Sequence, residues 1–202
     1  MPGDSLPPHA VEAADRKAWR RWLHRHHTDT QGVWLVMARK GGDHASPTYE
    51  EAVEEALCYG WIDSKPGRLD DRRSLLWFAP RKPKSAWAGP NKRRVEALEA
   101  AGLMHESGQA KVDEARRNGL WTKLDAVESL EVPDDLAAAL VRHAPAAAEW
   151  EAFPRSVKRG ILEWIVQARK PATRAARVQQ TAELAQRGER ANQWKRPGDA
   201  DE

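Results

Sequence analysis

The sequence predicts an α+β fold: a small antiparallel β-sheet of about three strands packed with helices, followed by a mainly α-helical C-terminal part. Three observations predict it. The β-type apolar runs are confined to residues 32–79. Capped helical patterns stand before, between and after them. Pro133, Pro145, Pro154 and Pro171 each stand where a further helix would begin, the position that tolerates proline best.

Taken in order, residues 1–8 are Pro-rich, and 1–10 are expected to form a disordered leader. From Val11 to His26 the pattern is helical, with Trp19, Trp22, Leu23 and His26 on one side. "GVWLVMARK" (Gly32–Lys40) is apolar on both faces and reads as a buried strand. After the loop "GGDHASP", Thr48 and Glu51 form a capping box, and Ala52, Val53, Ala56 and Leu57 supply a core stripe. Gly60 then occupies the left-handed position that ends helices. Two β-type runs, Trp61–Leu69 and Ser74–Ala79, are joined by the polar turn "DDRR" and read as a hairpin. Beyond the loop "PRKPKSAW", residues 88–101 and 107–118 read as helices, which closes an α+β part over 11–118. Residues 119–132 read as a linker. The helical part spans 133–188, with helices expected over 134–143, 145–153, 155–170 and 172–187. Residues 189–202 form a polar, frayed tail.

Composition narrows the function classes. A chain of 202 residues, 41% hydrophobic and 31% charged, is a globular protein with a real core. No apolar run approaches a membrane span, and the N-terminus has no apolar signal-peptide core, so a cytoplasmic protein is expected. One cysteine excludes an internal disulfide framework and a cysteine-rich zinc site. Tryptophan is over-used, 10 against 2 Tyr and 2 Phe, and it is the residue type most often found in pockets and hot spots. The net charge of +3 is unevenly spread: residues 61–95 and 155–196 carry +15 between them.

The order of motifs "EALCYGWIDS", "LDDRR", "WFAPRKPKSAW", "NKRRVEALEAAGLM" and, downstream, "VPDDLAAAL" and "FPRSVKRGILEWIVQARKPATRAARV" resembles the bacterial YdeI/OmpD-associated, or bacteriocin-protection, family over residues 15–185. The resemblance implies protection against antimicrobial peptides and an association with the cell envelope. It marks Gly60, Trp61, Ile62, Asp63, Pro80, Arg81, Trp87 and Asn91 as signature positions, with Lys170, Thr173, Arg174 and Arg177 in the closing motif. Ser64 departs from the glycine usual there.

On a strand, Trp61 and Asp63 share one face; Ile62 is the natural core residue, which puts the other two on the second face. An aromatic wall beside a carboxylate suits a cationic or hydrogen-bonding ligand, and a salt bridge of Asp63 with Arg81 or Arg68 is the alternative. The leading expectation is a non-enzymatic protective protein. It would bind a small molecule or peptide between Trp61 and Trp87, with Asp63 as anchor and Arg81 and Asn91 as orienting donors. One rival is a small-molecule enzyme using Asp63 as acid/base. The other is a nucleic-acid binder using a basic face of Arg68, Arg72, Arg73, Lys82, Lys84, Arg93 and Arg94, interleaved with aromatic residues. Cys58, near a helix C-terminus, is expected to be an inert buried thiol. His24 and His27 share a helical face at a ligand-like spacing but have no carboxylate partner in sequence, so no metal and no cofactor are expected.

Overall fold

Among the residues that the computed structural model describes, 6–193, four strands form one sheet in the order β1-β2-β4-β3. Residues 1–5 of the expected leader and 194–202 of the expected tail lie outside the described residues. The chain divides into two compact units, Met1–Thr122 and Lys123–Glu202.

The first unit is built on the hairpin. Strands β3 (Trp61–Arg68) and β4 (Arg73–Pro80) pair antiparallel, and β4 pairs antiparallel with β2 (Val33–Ala38). The fourth strand, β1 (Ala10–Val11), spans the end of the expected disordered leader and the start of the helix expected from Val11, which begins instead at Arg16. It runs parallel to β2, with Ala10 opposite Trp34 and the His9 carbonyl accepting from the Trp34 N–H at 2.9 Å. Two residues are too short a run to show period-2 alternation, so nothing local announces this strand.

Register decides which face is the core. Val33 stands opposite Phe78, Leu35 opposite Leu76, and Asp63 opposite Phe78. Cross-strand partners share a face, so Trp61, two residues from Asp63, falls on the same face as these apolar side chains. Helices α1 (Arg16–His26) and α2 (Tyr49–Cys58) close over that face with Trp19, Leu23, Ala52, Val53, Ala56 and Leu57. The Trp19 indole stacks on Trp22 at 5.2 Å and donates to the Ala52 carbonyl at 3.0 Å. The expectation that Ile62 would be the core residue of β3 is therefore corrected: Trp61 is fully buried, and Ile62, opposite Ala79, is half-buried. On the opposite face Trp34 and Trp77 meet edge-on at 5.0 Å, beneath the Lys65 ammonium at 5.2 and 5.3 Å from the two rings.

The expected capping box starts α2, and Gly60, at φ 78°, lets the chain turn from Tyr59 directly into β3. Helices α3 (Gly89–Ala100) and α4 (Glu106–Arg117) complete the unit. The second unit holds α5 (Asp125–Glu128), α6 (Asp134–Arg142), α7 (Ala146–Ala152), α8 (Arg155–Val166) and α9 (Pro171–Ala185). Helix α9 packs on α6, α7 and α8. Arg174 ties α9 to α6 through Asp135 at 2.7 Å, and Arg159 ties α8 to Glu128 of α5 at 2.8 Å. Arg177 donates to the Trp164 carbonyl and lies 4.8 Å over that ring. Two arginines of the closing motif thus have structural partners. No helix among the described residues is long and apolar enough to cross a membrane.

Candidate functional site

The N-terminus of α2 projects over the end of the sheet. Thr48 caps the helix, so Tyr49 occupies its first turn and points outward, 47% exposed. Its hydroxyl donates to Asp63 Oδ2 on β3 at 3.0 Å. Burial, together with the Asp63 charge and this hydrogen bond, holds the phenol above its ordinary pKa. Tyr49 forms one wall of a groove of about 500 Å³, with Met37, Pro47, Pro66, Leu75 and Leu76 as apolar lining, Ser46, Thr48 and Ser74 as polar lining, and the cationic Arg39 and Lys40 beside them. Volume and lining both match a small-ligand site.

The five residues singled out in the sequence take different places. Asp63 holds the Tyr49 wall. Trp61 is sealed in the core, with its indole N–H donating to the His27 carbonyl at 3.4 Å. Arg81 and Trp87 come together in a buried stack, the guanidinium 3.7 Å from the ring centroid. Arg81 is 6% exposed, donates to the carbonyls of Ser85 and Ala86, and has no carboxylate partner among the described residues. Desolvation alone lowers its pKa to about 10. The void that Arg81 and Trp87 line is about 10 Å³, room for one water at most. Asn91 Oδ1 accepts from Arg94, which is bidentate to Glu50 at 2.8 and 2.9 Å. This network pins α3 to α2.

Four of the seven residues of the expected basic face are paired with carboxylates. Arg68 pairs with Asp71, Arg72 with Asp43, Arg73 with Asp70, and Arg94 with Glu50. Lys82, Lys84 and Arg93 are exposed. Cys58 is buried, and burial pushes its thiol up to about 11. His24 and His27 lie with ring centroids 6.3 Å apart. Among the described residues no group of three or more His, Cys, Asp or Glu side chains could hold a metal ion.

Sequence reading missed Tyr49 and the groove lining. Nothing local announced Tyr49: by helical phase it falls on the stripe of Ala52, Val53 and Ala56, yet in the first turn of α2 it is exposed. The lining had no local signal either, because Met37 and Pro66 meet only through the β2-β4-β3 register.

Residues 11–111, half of the chain, match the family described as Domain of unknown function (DUF8412). Residues 129–188 match the family described as Bacteriocin-protection, YdeI or OmpD-Associated. The motifs from "EALCYGWIDS" to "NKRRVEALEAAGLM" all fall inside the first match and the closing motif in the second, so the bacteriocin-protection resemblance read over residues 15–185 is matched by that family over residues 129–188. No curated protein and no solved structure matches the chain. The chain thus belongs to the DUF8412 family, which residues 11–111 match, and, as its closing motif led one to expect, its residues 129–188 match the YdeI/OmpD-associated, bacteriocin-protection family.

Proposed function

We propose that the protein protects its host by binding a small molecule or antimicrobial peptide non-covalently, in the groove walled by Tyr49 beside Asp63. The observation that carries this reading is the geometry of that groove: an apolar lining beside a phenol held by a carboxylate. Apolar contact would supply affinity, and the Tyr49–Asp63 pair would supply orientation. The bacteriocin-protection match over residues 129–188 supports the protective role. Trp61 and Trp87 would act from behind, by fixing β3 and the loop before α3. The buried thiol of Cys58, held in its protonated form, suits a structural role better than a nucleophilic one.

The test is protection of cells challenged with a bacteriocin, read for three variants whose folding is first checked by circular dichroism. Asp63→Asn and Tyr49→Ala should each weaken protection, on the order of tenfold in the tolerated dose, the scale of one lost charge-assisted hydrogen bond. The quadruple variant Arg72→Gln, Lys82→Gln, Lys84→Gln, Arg93→Gln should keep it. If the quadruple variant loses protection while Asp63→Asn keeps it, the basic face is the site and the groove reading is wrong. Mass spectrometry of the recovered bacteriocin should find it intact. A covalently altered product would replace binding by an enzyme that uses Asp63 as acid/base.

A further inference from the structure

The outer face of α1 is a strongly charged surface that the groove does not use. Its sequence, RKAWRRWLHRH, contains no acidic residue. Trp19 and Leu23 turn inward, which by helical phase leaves Lys17, Arg21 and Arg25 in one outward row. At four-residue spacing the row spans roughly 12 Å. All three are exposed and have no carboxylate partner among the described residues. Arg20, beside the row, is different: it is bonded to Glu55 at 2.6 Å and to the Leu103 carbonyl. Lys17, Arg20, Arg21, His24, Arg25 and Tyr59 together line a groove of about 480 Å³ with no carboxylate in its lining. A cluster of rings flanks it: His24 lies 6.1 Å from Tyr59 and 5.7 Å from His105, and His27 lies 4.8 Å from His105.

From this we infer that the α1 face is a docking surface for the phosphate backbone of single-stranded nucleic acid, read without regard to sequence. An unpaired line of three cations fits an extended polyanion, since a single phosphate could engage only one or two of them. Of the rings beside this line His24 is exposed and offers a base a stacking face, whereas Tyr59 is buried and stacked on His105 at 4.8 Å. An anionic membrane is the less fitting partner. An interfacial helix inserts exposed apolar side chains, whereas the apolar side chains of α1 are buried or half-buried and Leu103 nearby stands alone.

The experiment is fluorescence anisotropy of a labelled, mixed-sequence single-stranded oligonucleotide with the full chain. Three neutralised phosphates predict a slope of log affinity against log salt of about −2, or roughly twentyfold weaker binding at about 200 mM than at about 50 mM salt. The triple variant Lys17→Gln, Arg21→Gln, Arg25→Gln should abolish binding. The single variant Arg21→Gln, which leaves the fold least perturbed, should lower the slope by about 0.7. The control Lys82→Gln, Lys84→Gln, Arg93→Gln should change neither. The inference is overturned by no binding at low salt, by equal loss in the control, or by ATP competing as well as the oligonucleotide, which would mark a compact anion site. It is also overturned if the protein sediments with anionic vesicles and ignores the oligonucleotide.

Discussion

At Cys58 the last residue of α2 places a thiol in the core, where ionisation is opposed first by burial and next by the Glu55 charge; Arg20 works weakly the other way. The folded-state value is raised from 9.0 to about 11, so in that window the unfolded chain loses a proton that the folded chain keeps. Fewer protons in the unfolded state mean stability that falls as pH rises. Denaturant midpoints should therefore drop from pH 9 toward pH 11 more steeply in the wild type than in Cys58→Ala. At neutral pH the folded protein should label slowly with a thiol reagent; rapid labelling would reopen a nucleophilic role. The inert thiol could be expected from sequence because a helix C-terminus disfavours a thiolate. Trp61 is the opposite case. Alternation places it with Asp63, but which face is the core depends on Phe78 standing opposite Asp63, a pairing fifteen residues away that no local pattern encodes.

Two helix-borne glycines show how elements are held, because they look alike in sequence and have opposite surroundings. Gly108, in the first turns of α4, backs onto the end of α2: a Cβ there would lie 2.1 Å from the Cys58 carbonyl oxygen, which already accepts from the His105 N–H. Backbone cannot step aside as a side chain can, so Gly108→Ala should lift α4 off α2 and cost about 1–3 kcal/mol. Gly160, within α8, has nothing within 4 Å of a Cβ. There the helix gains from alanine, and Gly160→Ala should stabilise by up to about 1 kcal/mol. Chemical denaturation of both variants decides the matter; equal effects would mean that the α2–α4 contact is not tight. Most elements were legible beforehand for a physical reason: caps, prolines at helix starts and a polar hairpin turn are all local chemistry. What stayed illegible, β1 and the groove lining, depends on strands meeting across sequence separations of about twenty to forty residues.

Charge and core together describe the whole molecule as two self-sufficient units. The two basic stretches carry +15 in sequence, yet much of that charge is answered within its own unit. In the second unit Lys158 meets Glu151, Arg159 meets Glu128 and Glu163, Arg174 meets Asp135, and Arg187 meets Glu189. The main core cluster of the first unit draws every member from Ala13 to Ala115, and the groove lining runs only from Met37 to Leu76. A unit of this size, with its own core, is within the range that folds alone. Residues 1–122 expressed by themselves should therefore unfold in one cooperative transition. They should also bind the same ligand as the full chain with unchanged affinity, measured by calorimetry on the bacteriocin used in the protection assay. Residues 123–202 alone should not bind it, although α9, packed on three other helices, should keep them helical. A first unit that folds but no longer binds would move the site away from Tyr49 and Asp63. A second unit that binds alone would assign protection to the bacteriocin-protection match itself and leave the groove without a function.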